Sequence, residues 1–327
     1  MSQRKAIAAI ASVDPRIVIA FALVYVIWGS TYLAIRIVIV SIPPFASAGV
    51  RFFCAGLLML TFNRMRGRAI AVPRSELVSL AVIGFLLLVC ANGLVSWAEQ
   101  FVPSGLAALM AAVLPLWIGI IETLLPDGER LPPLGWAGVL LGIGGLAVLL
   151  SPKLAHGFSA DVRGEAAVML ASLCWATGSL YSKRVTFTVS PFIATGWEML
   201  IGGSVLVLIA GASGQFAHFA PSRDGLLALA YLILVGSCVG FSAFVWLLQH
   251  VAAAKVTTYA YVNPVVAVVL GSLLLGEPFT PAMALGTPII VAAVVLVTTA
   301  KMQITRTQTA PLSPLVEPAR ATPQRVA

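Results

Sequence analysis

The chain has 327 residues, of which 60% are apolar and only 10% are Asp, Glu, Lys or Arg. Soluble proteins carry roughly 25% charged residues; with so few, and a mean hydropathy of +1.00, this chain cannot clothe a water-facing surface and must meet an apolar solvent. The net charge of +8 does not point to a nucleic-acid partner, because the basic residues stand at the ends of apolar runs and form no single stripe.

In hydrocarbon every backbone polar group needs an internal partner, so long apolar runs must be helices. Runs of the length that crosses a bilayer, about 17–25 residues, lie in chain order near 17–39, 44–62, 77–98, 103–124, 134–151, 164–185, 191–212, 225–248, 252–275 and 281–300. The expected class is an all-α integral membrane protein of ten transmembrane helices. Residues 1–16 form a cytoplasmic segment without a cleavable signal, 152–163 an external linker, and 301–327, rich in Thr and Pro, a disordered cytoplasmic tail. Cys54, Cys90, Cys174 and Cys238 all fall inside spans and read as buried small hydrophobes, not as a disulfide framework.

The two halves repeat. WGSTYLAIR at 28–36 aligns with WATGSLYSK at 175–183, and the register carries Pro44 onto Pro191, Gly49 onto Gly196 and Gly56 onto Gly203. Further on, Trp97 and Gln100 meet Trp246 and Gln249, Pro115 meets Pro264, and Gly128-Glu129 meets Gly276-Glu277. The first repeat covers 17–151 and the second 164–300. Each holds an odd number of spans, so the second lies upside down relative to the first, a 5+5 inverted-topology repeat typical of transporters. With both termini cytoplasmic, the outside receives only Lys153, Arg163 and Arg223, while Arg64, Arg66, Arg68, Arg74, Lys183, Arg184 and most other basic residues fall inside. The positive-inside rule selects that orientation.

Polar and aromatic residues at helical spacing should face a cavity or a neighbouring helix, since lipid would leave their polar atoms unpaired. Such stripes comprise Tyr25, Trp28, Tyr32 and Arg36 on the first span, with Ser30 nearby; Asn92, Ser96 and Glu99 on the third; Ser172, Trp175, Ser179 and Lys183 on the sixth; and Lys255, Tyr259 and Asn263 on the ninth. The expected substrate-binding set is Tyr25, Trp28, Ser30, Tyr32, Asn92, Ser96, Trp175, Ser179, Tyr259 and Asn263. Pro115 and Pro264 should break the fourth and ninth spans and free backbone groups. Two charge clusters are expected as gates, Arg36/Arg51/Glu99 outside and Glu122/Lys183/Glu198/Lys255 inside; the alternative is that these side chains snorkel to headgroups. The glycine face Gly135, Gly138, Gly142 and Gly145 suits either internal packing or a dimer seam.

No zinc-protease, nucleophile-elbow, phosphate-loop or dinucleotide motif is present, so no catalytic residue, metal or cofactor is expected. The expected partners are a small-molecule substrate and membrane lipid, with no nucleic acid, and the protein is a monomer or homodimer.

The stretches WGSTYLAIR, PPFASAGVRF, ANGLVSWAEQFVPSGLAAL, TGWEML, TTYAYVNPVVAVVLG and GEPF resemble, in order and over about 17–300, the EamA family of the drug/metabolite transporter superfamily. The resemblance implies a bacterial inner-membrane protein that exports amino acids or other small metabolites and drugs by alternating access. It also implies a cavity among the first, third, fourth, sixth, eighth and ninth helices. An uncoupled channel or facilitator is the alternative, and a membrane-embedded enzyme ranks last. TYAYVNP in the second half has the apolar ALMAAVLP as its counterpart, so substrate contacts should be asymmetric.

Overall fold

The computed structural model describes residues 14–126, 128, 130–155, 162–251, 253–256 and 258–309. The expectations for residues 1–13, Glu129, His156 and the tail beyond 309 lie outside the described residues. Ten helical spans follow one another: α1 Pro15–Ile39, α2 Pro44–Met65, α3 Arg74–Ala98, α4 Ser104–Leu124, α5 Pro133–Leu154, α6 Arg163–Arg184, α7 Pro191–Ala212, α8 Arg223–His250, α9 Tyr259–Leu275 and α10 Pro281–Thr309. The short helix Ala253–Val256 precedes α9. Five of these helices start on a proline, whose fixed φ suits the first helical position and whose missing N–H is not needed there. One correction concerns the tail. The sequence KMQITRTQT holds no Pro or Gly before Pro311 to stop the helix, so α10 runs on through Thr309.

Eight of the ten are long and apolar enough to cross a membrane; α9 is apolar but shorter, and α6 carries more polar residues than the others. α6 is instead held among α3 and α4.

The packing obeys a pseudo-two-fold. α1 packs against α8 and α9, and its equivalent α6 packs against α3 and α4; α2 touches α8 as α7 touches α3. Three pairs are related to themselves and therefore straddle the axis: α2 with α7, α4 with α9, and α5 with α10. The first of these depends on the glycines that anchored the repeat. A Cβ on Gly49 would come within 2.8 Å of the Val207 backbone nitrogen, one on Gly56 would strike Leu200 N and Gly196 O, and one on Gly203 would strike Phe53 N. The glycine face of α5 packs internally: Gly138 and Gly145 meet Val297 and Ile290 of α10.

α3 and α8 each contain an eight-residue π-helical segment, Phe85–Asn92 and Leu232–Val239. The second lies in the same repeat register as Trp28 and Trp175. In the wider turn each backbone N–H reaches the carbonyl five residues back, and the Asn92 side chain adds a bond to one such carbonyl, Leu87 O, at 2.8 Å. π segments are rare and concentrate at functional positions.

Candidate functional site: a central cavity between the repeats

α4 is broken. Its first half, Ser104–Ala111, and second half, Leu114–Leu124, are separated by a turn just before Pro115. Pro115 has no N–H to offer the carbonyl four residues back, and that carbonyl, Ala111 O, accepts instead from Ser172 Oγ at 3.5 Å. The expected break at Pro264 is absent: α9 runs through it as one helix, because the proline removes a single N–H and leaves the equivalent carbonyl of Ala260 without its helical donor while the turns on either side close. Ala111 and Ala260 both line a cavity that opens to solvent; the space not filled by atoms, open solvent included, is about 820 Å3. The paired prolines thus loosen the backbone where the two halves face the same void.

That cavity lies among α1, α3, α4, α6, α8 and α9, with Arg51 reaching it from α2. Trp28 and Trp175 are repeat-equivalent and meet edge-on, ring centroids 6.3 Å apart. Equivalent residues in contact must sit beside the symmetry axis, so this pair marks the centre of the molecule. Trp28 also packs edge-to-face on Phe241 at 5.1 Å and on Tyr259 at 5.1 Å, a geometry favoured by the ring quadrupoles. Asn263 is oriented by the backbone: with its amide nitrogen toward them, it donates to the carbonyls of Tyr259 and Tyr25, each at 3.2 Å.

Of the substrate-binding set expected from the sequence, Trp28, Tyr32, Asn92, Trp175, Tyr259 and Asn263 line the cavity. The other four do not. The Tyr25 hydroxyl is bonded to Thr258 Oγ1 at 2.5 Å, the Ser30 hydroxyl to Tyr231 at 2.6 Å, and Ser96 Oγ back to Asn92 O at 2.9 Å. These hydroxyls serve as glue between and within helices, which their stripes equally allowed. Ser179 lies further along α6, beyond the lining.

The charge clusters are only partly brought together. Arg36 donates to the backbone carbonyl of Glu99, and the Glu99 carboxylate, 0% exposed, lies within electrostatic reach of both Arg36 and Arg51. At the other end of the bundle Lys183 pairs with the buried Glu122 at 3.4 Å. Glu198 and Lys255 join neither: Lys255 is exposed, and Glu198 is half-buried with no described ion pair. The expected four-residue inner cluster is therefore a single ion pair among the described residues: Glu198 sits where α7 packs its backbone carbonyl against Gly84 of α3, and Lys255 lies exposed on the short helix before α9. Arg51 belongs to the cavity lining more than to the mouth.

Sequence reasoning missed Thr31 and Phe241 and the small-residue wall of Ala108, Ala111 and Ala112. Phe241 was within reach, since the register that carries Trp97 onto Trp246 carries Asn92 onto it. The same register pairs Leu114 with Asn263, both in the lining, so the expected asymmetry of the cavity is present. Glu165 was also passed over; it is buried and forms an ion pair with Lys153 at 2.6 Å, tying α5 to α6. The four cysteines are free and half-buried. Among the described residues no group of His, Cys, Asp or Glu is arranged to hold a metal.

The chain is similar to proteins already known as transporters. The uncharacterized inner membrane transporter YedA of Escherichia coli (strain K12) is 41% identical over 295 residues, 90% of this chain and 92% of YedA. The uncharacterized transporter YoaV of Bacillus subtilis (strain 168) is 22% identical over 263 residues, 80% of this chain and 90% of YoaV. A crystal structure with 23% sequence identity superposes with a TM-score of 0.62, covering 88% of this chain and 98% of its own, which supports the fold. Residues 15–151 and 162–299 each match the same transporter domain, one match per repeat. The chain belongs to the EamA-like transporter family.

Proposed function

We propose that the protein is a secondary transporter that moves amino acids or similar small metabolites and drugs out of a bacterial cell, across the inner membrane, by alternating access. Both termini lie in the cytoplasm in this reading. The observation that carries it is the cavity at the two-fold axis, bounded by inverted halves, by one helix broken just before Pro115 and by one that carries Pro264 within it. If the halves exchange conformations, a cavity open to one side becomes a cavity open to the other without moving the site. The contact of Arg36 with the Glu99 carbonyl at one end and the Lys183–Glu122 pair at the other are both made in this structure; alternating access has them open in turn, one mouth at a time.

The test is flux in reconstituted vesicles. A carrier gives saturable uptake and counterflow, in which an internal solute accelerates entry of labelled external solute. Flux that is linear in concentration and shows no counterflow would instead make the protein a channel.

A further inference from the structure

Arg51 lies about two turns into α2; it is 4% exposed, yet pairs with no described carboxylate. Its Nε donates to Ser237 Oγ at 2.9 Å, and its guanidinium carbon lies 4.5 Å over the Phe52 ring. Those contacts use one of five N–H donors and one face. Glu99 exerts its field on Arg51 from outside the lining but makes no hydrogen bond to it. A buried cation with so few partners is costly to maintain unless a further partner completes it. Arg51 lines the cavity, and it is the one charged residue among those described there. The rest of the wall is uncharged: Trp28, Trp175, Phe241 and Tyr259 contribute rings, alanines leave room between them, and Asn92 and Asn263 are among its neutral polar groups.

We infer that the cavity takes an organic monoanion, a carboxylate carried on an aromatic or bulky apolar body, with the Arg51 guanidinium receiving the carboxylate and the tryptophan layer receiving the body. The inference rests on the proposed role of the cavity as the solute site; within the range of solutes proposed above it favours organic anions and sets the zwitterionic amino acids aside. A guanidinium offers two parallel N–H groups to a carboxylate. No acidic residue is among the described residues that line the cavity, so the ammonium of a zwitterion or an amine finds no counter-charge there and shares the space with the like charge of Arg51, which outweighs what the aromatic faces return.

The experiment uses four probes that share a phenyl ring: 3-phenylpropionate, phenylalanine, 2-phenylethylamine and 3-phenylpropanol. Binding to the purified full chain in nanodiscs is read from intrinsic tryptophan fluorescence, since Trp28 and Trp175 stand in the cavity. The propionate should bind about tenfold or more tighter than the other three. Arg51→Gln should lose about that factor for the propionate and leave the alcohol unchanged, and Arg51→Lys should fall between, keeping the charge without the paired donors. Phenylalanine, amine or alcohol binding as tightly as the propionate overturns the inference but leaves the cavity as the solute site. So does an Arg51→Gln protein that binds the alcohol and keeps full propionate affinity. Absence of binding by all four removes the cavity as the solute site, and the inference with it.

Discussion

Glu277 is a residue of the second repeat that caps a helix of the first. Its carboxylate accepts from Ser104 N at 2.9 Å, Gly105 N at 3.1 Å and Ser104 Oγ at 3.0 Å. The first N–H groups of a helix have no partner within it, and a negative charge there also meets the positive end of the helix dipole. Pro103, the residue before α4, has no side-chain group to do this. Glu277→Ala should therefore destabilise the protein by about 1–3 kcal/mol, and Glu277→Gln, which keeps an oxygen but no charge, by roughly half as much. Thermal unfolding of the purified variants in detergent measures both. Unchanged melting of the alanine variant would show that α4 needs no cap. The glutamate was visible in the sequence as half of a repeated Gly-Glu, but its role was not. Its partner lies 173 positions away, and no local pattern encodes a cap delivered from a distant loop.

At the scale of the helices, spans and repeats were legible because both are written in composition and register. Apolar runs of bilayer length can hardly be anything but helices, and a duplicated Trp-Pro-Gly skeleton survives divergence of everything between. The π segments were not legible: FLLLVCAN and LILVGSCV differ from ordinary α-helix only in which carbonyl each N–H meets. That Glu198 and Lys255 stand apart from the Lys183–Glu122 pair was likewise out of reach, since helical register says which face a charge occupies but not the rotation of the neighbouring helix. The glycines carry a stronger statement than alignment gave them. Where α2 crosses α7, backbone touches backbone, and a Cβ at Gly56 or Gly203 has no flexible side chain to displace. Gly56→Ala and Gly203→Ala should each cost about 1–3 kcal/mol through overpacking, whereas Gly144→Ala and Gly211→Ala, with nothing within 4 Å of the added carbon, should not destabilise. Detergent melting curves of the four variants would decide it; equal behaviour would mean that the crossing is looser than the packing described.

For the molecule as a whole, two-fold packing of helices and inversion in the membrane are separate properties. The first is seen in the exchange of α1/α8 and α1/α9 contacts for α6/α3 and α6/α4. The second demands that equivalent loops emerge on opposite sides. The α2–α3 loop contains Ala69, and the α7–α8 loop contains Ala217; both residues are exposed. The latter loop is docked at the opposite end of the bundle, where Gln215 Oε1 accepts from Phe45 N at 3.0 Å and Ala46 N at 3.1 Å and so caps α2. The basic cluster Arg64, Arg66, Arg68 and Arg74 should hold the Ala69 loop in the cytoplasm. In a variant with the four native cysteines replaced, a membrane-impermeant maleimide added to intact spheroplasts should label Ala217→Cys and spare Ala69→Cys, and both should react once the membrane is opened. Labelling of Ala69→Cys alone would reverse the orientation while preserving inversion. Labelling of both in intact cells would place equivalent loops on one side, and exchange of the two halves would then no longer carry a solute across.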